Sequence, residues 1–209
     1  MNDKIEIVVN VFTIQKGKVM MLLSRKKTEP YKGYWMLPTS IFDENITLDD
    51  NAKEIVCEQI GLKNVYLEQE KTYSDMNRKI LSISFLGLVD SVSVEISNIS
   101  EEYSWFSIDS VPKMAFDQEE VIKNDINVLK NKLIDVNMLK KLFPSDFTLP
   151  EIQKLYEQVL GRTLDRRNFR KKFINLDLIE DTGYKNEGFN GRPAKLYKFK
   201  ENIDKRNLF

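Results

Sequence analysis

Apolar and polar positions along this chain follow two rhythms. Residues 5–13 (IEIVVNVFT) form a near-continuous β-branched apolar run, the pattern of a strand covered on both faces. Gly17-Lys18 interrupts it and residues 19–24 (VMMLLS) resume it, so the pair reads as a hairpin. Residues 34–37 are a short apolar run before Pro38. Residues 65–73 and 79–89 read as further strands, the second carrying ILSISFLGLV, and 103–108 as another, bounded by Pro112. Helical spacing appears at 49–60, where Ala52, Ile55, Val56, Gln59 and Ile60 share a side and Gly61 is the stop. It returns at 117–133, a helix of about four turns. Strands, a middle helix, more strands and a closing helix describe an α+β sandwich.

Near Phe143-Pro144-Ser145-Asp146 this rhythm stops. Residues 147–160 (FTLPEIQKLYEQVL) read as a helix. Thr148 and Glu151 have capping-box spacing, Pro150 sits in the first turn, and Gly161 ends it. Ile152, Leu155, Tyr156 and Val159 form its apolar face. A second helix follows at 165–175, then strands at 178–182 and 194–199 around a glycine-bearing loop, 183–191. Helix, short turn, helix, hairpin is the order of a winged helix-turn-helix.

Charge sharpens the division. The chain is neutral overall, with 32 Lys+Arg and 32 Asp+Glu, but residues 146–209 hold 14 basic against 10 acidic side chains and residues 1–145 hold 18 against 22. Six basic residues and one acid lie between Arg162 and Lys172. A solvated helix face is the ordinary reading of such a block. Its place on the second helix of a helix-turn-helix favours DNA, with arginine forks for guanine edges and lysines for phosphates. The expected contacts are Arg166, Arg167, Asn168, Arg170, Lys171 and Lys172, with Lys185, Arg192 and Lys195 from the wing.

Composition excludes several chemistries. The chain of 209 residues is 42% hydrophobic, enough for a core, and has no histidine, which rules out Ser-His-Asp and Cys-His sites and histidine-bound zinc. Its one cysteine, Cys57, cannot form an internal disulfide and reads as buried packing. A reducing cytoplasm fits. No apolar run reaches the roughly 18 residues of a membrane span, and the start carries no signal-peptide pattern.

Residues 36–62, MLPTSIFDENITLDDNAKEIVCEQIGL, resemble a Nudix box. In that family a glycine, a glutamate and an Arg-Glu…Glu-Glu helix precede a closing Gly and apolar residue. Anchored on Gly61-Leu62, the opening glycine falls on Ser40 and the first glutamate on Ile46. The arginine falls on Glu54, its neighbouring glutamate on Ile55, and the Glu-Glu pair on Glu58-Gln59. Such glutamates hold the divalent metal that pyrophosphate cleavage requires, and of those on the helix Glu58 alone remains. Glu54 and Glu58 would share a weak ion only after a one-residue slip; otherwise they are a solvated face. The flanking RKKTEPYKGYWMLP and EEYSWFSIDSVPKMAFDQEEVI extend the likeness over roughly residues 4–135.

Residues 147–199 resemble the C-terminal winged domain of the Nudix-related transcriptional regulators, above all in LPEIQKLYEQVLGRTLDRRNFRKK and GRPAKLYKF. The resemblance implies a Nudix-like sensing domain (residues 1–140) and a winged-helix DNA-binding domain (141–209). It implies a cytoplasmic homodimeric repressor on palindromic operator DNA, released by a small effector, either an ADP-ribose-like nucleotide or a sugar. Family pockets point to Arg25, Trp35 and Phe42 for the effector. Core packing is the competing reading for Trp35, and a solvated hairpin end for Arg25. Catalytic residues, metal ligands, cofactor and membrane association are expected to be none. The alternative is a Nudix pyrophosphohydrolase acting on a nucleoside diphosphate derivative such as ADP-ribose.

Overall fold

The structure, a computed structural model, describes residues 5–97, 99–116, 118–143, 146–186 and 193–201. Its larger sheet is built on β1 (Ile5–Gln15) and β6 (Ile80–Leu88), which run parallel at its centre, Ile7 opposite Ile83 and Phe12 opposite Leu88. β2 (Lys18–Arg25) and β5 (Tyr66–Asp75) flank them antiparallel, β3 (Trp35–Met36) and β7 (Tyr103–Ser107) pair with β2, and β4 (Thr39–Ile41) pairs with β1. The near-continuous apolar run of β1 is explained by cover on both faces. Ile7, Val9 and Val11 pack with the box helix, while Val8, Phe12 and Ile14 pack on the opposite side. The β1–β2 connection is a two-residue turn, Gln15 pairing Lys18 across Lys16 (φ 52°) and Gly17 (φ 72°). Positive φ at both positions is the mirror-image turn whose twist suits a hairpin.

The box helix departs from the expected regular helix. It starts as α1 (Leu48–Lys53), with Thr47 accepting from the Asp50 amide, and continues as a π-helix over Glu54–Gln59, where the Ile60 amide donates to the Ile55 carbonyl at 3.0 Å. The wider turn rotates the later residues. Ile55, Val56 and Ile60 stay buried, but Gln59 and Cys57 face solvent. The expectation of a buried Cys57, and of Gln59 on the apolar side, is therefore corrected. Two short helices, α2 (Ser91–Ile96) and α4 (Val136–Lys140), were not anticipated; each is capped by an aspartate, Asp90 and Asp135.

The long helix α3 (Gln118–Lys132) covers the second face of the sheet. Its Gln118 accepts from the Leu37 amide at 2.9 Å, and its buried Asp125 accepts from Asn10 in β1 at 3.0 Å. Beyond it lie β8 (Asp146–Phe147), α5 (Leu149–Leu160), α6 (Arg166–Asn175), β9 (Ile179–Asn186) and β10 (Ala194–Phe199), with sheet order β8-β10-β9. β9 is longer than expected, taking residues 183–186 from the wing loop.

α5 does not hang free of the sandwich. The apolar cluster that holds Val8, Phe12 and Leu129 continues through Phe147, Ile152, Tyr156 and Phe169. Burying each such side chain contributes roughly 1.5–3 kcal/mol. Polar contacts fix the seam: the Tyr156 hydroxyl donates to the Leu133 carbonyl at 2.6 Å, and the Val19 amide donates to Gln158 Oε1 at 2.6 Å. Gln158 Nε2 in turn donates to Asp109 at 2.7 Å.

Candidate nucleic-acid interface and sensing face

The helix that carries the basic block and the one before it are set by local chemistry. At the start of α5 the Thr148 hydroxyl accepts from the Glu151 amide at 3.4 Å, while the Glu151 carboxylate accepts from the Thr148 amide at 2.7 Å. This reciprocal cap is worth about 1 kcal/mol. Gly161 closes the helix at φ 64°, a left-handed conformation suited to glycine. In the turn, Glu157 Oε1 accepts from the Leu164 amide and Gln153 Nε2 donates to the Leu164 carbonyl, both at 2.9 Å. Asp165 then caps α6 by accepting from the Asn168 amide at 2.8 Å.

α6 buries Phe169 and Phe173, whose rings lie 6.1 and 6.4 Å from that of Tyr156 in α5. That anchoring divides the expected contacts by helical spacing. Arg167 and Lys171, four apart, fall opposite the two phenylalanines and are exposed. Arg166 and Arg170 flank the wing side, where they line a cleft of about 650 Å³. Asn168 and Lys172 are exposed on the other flank. From the wing, Lys185 and Lys195 line the same cleft, and Lys195 is paired with Asp181 at 2.6 Å. Arg192 lies outside the described residues. The cleft also includes Lys16 and Lys154, which sequence reasoning missed because neither lies in the basic block.

The sensing candidates separate. Arg25 at the end of β2 sits over the Trp35 ring, 5.5 Å from its centroid, and half-buried Trp35 packs edge-on against Phe106 at 4.8 Å. Phe42 lies elsewhere: it packs with the box-helix cluster, whereas Trp35 packs with the α3 cluster. Around Trp35 gathers a set of rings and cations that the run RKKTEPYKGYW foreshadows. Tyr31 meets Phe116 at 5.1 Å and Tyr34 at 5.7 Å. Lys26 and Arg78 sit over Phe116 at 5.4 and 4.4 Å, and Lys113 over Tyr34 at 5.7 Å. Arg78 is held in place by donating to both carboxylate oxygens of buried Glu6, at 3.0 and 2.9 Å. Planar rings ringed by cations suit a flat, anionic ligand.

The box does not fit a divalent metal. Ile55, at a glutamate position, is fully buried in the core, and Gln59 offers an amide. Ser40, at the position of the opening glycine, is paired in β4 opposite Ile7 instead of forming a loop. Among the described residues no group of three or more His, Cys, Asp or Glu is arranged to hold a metal ion. No described helix is long and apolar enough to cross a membrane.

A Nudix-like sandwich joined through a shared core to a winged helix with a basic second helix is an arrangement that known transcriptional regulators share. Residues 140–199 match the family described as the NrtR DNA-binding winged helix domain. Over 200 residues, spanning 90% of this chain and 79% of its relative, the chain is 28% identical to the ADPR responsive transcriptional repressor NtrR of Acinetobacter baylyi. The crystal structure of Shewanella oneidensis NrtR complexed with a 27mer DNA superposes with a TM-score of 0.76 at 26% identity, covering 94% of this chain and 93% of that one. An ADP-ribose pyrophosphatase of Methanocaldococcus jannaschii is 27% identical over 115 residues, 53% of this chain and 68% of the relative. The similarity to NrtR-type regulators thus runs through both halves of the chain, and residues 140–199 carry the family's winged helix domain.

Proposed function

We propose that the chain is an ADP-ribose-responsive repressor. In this reading residues 1–140 sense the effector, and residues 141–209 hold operator DNA. Arg167, Lys171 and Asn168 enter the major groove. Arg166, Arg170, Lys172, Lys195 and Arg192 serve the backbone. The effector lies against Arg25 and Trp35, its adenine among the rings and its diphosphate among the cations; Phe42, on the other face, supports the box helix. Two copies act together, since a dimer places two recognition helices on half-sites about one DNA turn apart. The sensing domain does not hydrolyse its ligand.

The observation that carries this reading is the joint likeness of both halves, in one chain and one order, to a DNA-bound NrtR. The relative from Acinetobacter, named for its response to ADPR, supplies the effector class. The test is fluorescence anisotropy on duplexes selected from a random pool. Wild-type protein is expected to retain a palindromic duplex and release it as ADP-ribose is added. Retention indifferent to ADP-ribose refutes the effector. Magnesium-dependent turnover of ADP-ribose, lost in Glu58→Gln, would replace the reading with the hydrolase.

A further inference from the structure

The cleft beside α6 is closed on one side by a piece of the sensing sandwich. Its basic lining comes from three sources: Lys16 in the β1–β2 turn, Lys154 in α5, and Arg166, Arg170, Lys185 and Lys195 in α6 and the wing. Among the described residues lining it, the one acid is Glu151, and its carboxylate is engaged by the Thr148 amide and hydroxyl at 2.7 and 2.9 Å. With six cations against Glu151, and Lys195 paired with Asp181 at 2.6 Å, the cleft is net positive, and it lies on the flank of α6, not on the Arg167–Lys171 face. In a helix-turn-helix the recognition helix occupies the groove and the backbone runs alongside, across the first helix. A cationic channel between α5, the flank of α6 and the wing follows such a backbone.

Lys16 is held there firmly. Its turn has both residues at positive φ, 52° and 72°, a tight geometry with little slack. Gly17 lies directly under Lys154: a Cβ on Gly17 would stand 3.2 Å from Lys154 Cδ. Two residues on, the Val19 amide is tied to Gln158 of α5. The turn is thus docked on the first helix of the reader, with exposed Lys16 at its tip.

We infer that the DNA interface extends beyond the winged helix onto the sensing domain, Lys16 of the β1–β2 turn contacting a DNA phosphate. This rests on the DNA-binding reading above and adds a contact from the other half of the chain. A phosphate contact carries no sequence information and acts on every duplex alike.

The test titrates full-length wild type, Lys16→Ala, Lys16→Glu and Lys16→Arg against two fluorescein-labelled duplexes. One is of mixed sequence, the other the pool-selected duplex, each across a salt series. Lys16→Ala is expected to weaken both complexes by the same factor and to make log K against log salt shallower by about 0.9, the value of one lost phosphate contact. Lys16→Glu weakens both further, and Lys16→Arg restores the wild-type slope. Unchanged affinity and slope in Lys16→Glu overturn the inference, as does a loss confined to the selected duplex. Arg167→Ala/Lys171→Ala on the same duplexes separates the two claims. If that variant loses the selected duplex while Lys16 variants match wild type, the recognition helix stands and the turn contact falls. If wild type binds neither duplex, both fall.

Discussion

Asn at position 125 should make the sandwich insensitive to a titration that now costs it stability near neutral pH. Asp125 of α3 is 2% exposed. It accepts from Asn10 Nδ2 at 3.0 Å and from the Tyr73 hydroxyl at 3.4 Å. Burial pushes its carboxyl from 3.8 up to about 6, outweighing the hydrogen bonds from Asn10 and Tyr73 that pull the other way. The folded chain then binds this proton more tightly than the unfolded chain. The stabilisation is complete below pH 3.8 and is lost as pH rises through about 6. Two units of displacement at about 1.4 kcal/mol each amount to roughly 3 kcal/mol. Asparagine carries no charge to desolvate. Its amide can also donate to Asn10 Oδ1, a buried atom without a hydrogen-bond partner. Urea unfolding of wild type and Asp125→Asn, followed from about pH 4.5 to about 7.5, should show the variant gaining on wild type by roughly 2 kcal/mol, the share of the total that falls above about pH 4.5. Other carboxylates are common to both chains and cancel. A difference that stays constant with pH refutes the reasoning, because it would mean that Asp125 titrates alike in both states.

Arg167→Ala with Lys171→Ala should cost DNA affinity by about 1–3 kcal/mol per side chain and relax sequence preference, read by anisotropy on matched and mutated duplexes. Trp35→Ala should weaken ADP-ribose binding in calorimetry while leaving duplex affinity intact, since the ring lies at the far end of β2 from the Val19–Gln158 contact. Gly161→Ala should destabilise the chain by about 1 kcal/mol through its left-handed φ alone, because an added Cβ there meets nothing within 4 Å. Chemical denaturation measures it.

The parts of this fold that could be read in advance are those whose signal repeats. β1 and β6 announce themselves by long, predominantly apolar runs, and α5 by its spacing together with the Thr148–Glu151 cap. What escaped notice was short or non-periodic. α2 and α4 span six and five residues, too few for a helical rhythm to show. The π-turn at Glu54–Gln59 leaves no compositional mark, and it turns Gln59 away from the apolar side, while the burial of Cys57 rested on residue type alone. Of the site, the basic block on α6 was visible as a run, yet its division into a groove face and a wing flank needed Phe169 and Phe173 to be seated against Tyr156. Lys16 and Arg78 lie far in sequence from the residues they join, and only the hairpin docking and the Glu6 fork bring them in.

β2 is the strand that links the proposed sensing face to the winged helix. One end places Arg25 on the Trp35 ring, and the other gives its Val19 amide to Gln158 of α5. β7, its neighbour, leads into Asp109, which binds the same Gln158 side chain. Lying between two sites does not make a strand a coupling device; coupling requires two arrangements that the ligands favour unequally. The packing narrows where such arrangements differ. The seam combines a continuous apolar cluster, which resists separation, with a few directional hydrogen bonds at Gln158 and Tyr156, which register a small slide. A packed interface of this kind shifts between discrete positions instead of deforming smoothly. An effector that displaces β2 against α5 would therefore move Lys16 and α6 together, and would alter backbone contact and groove contact in one step.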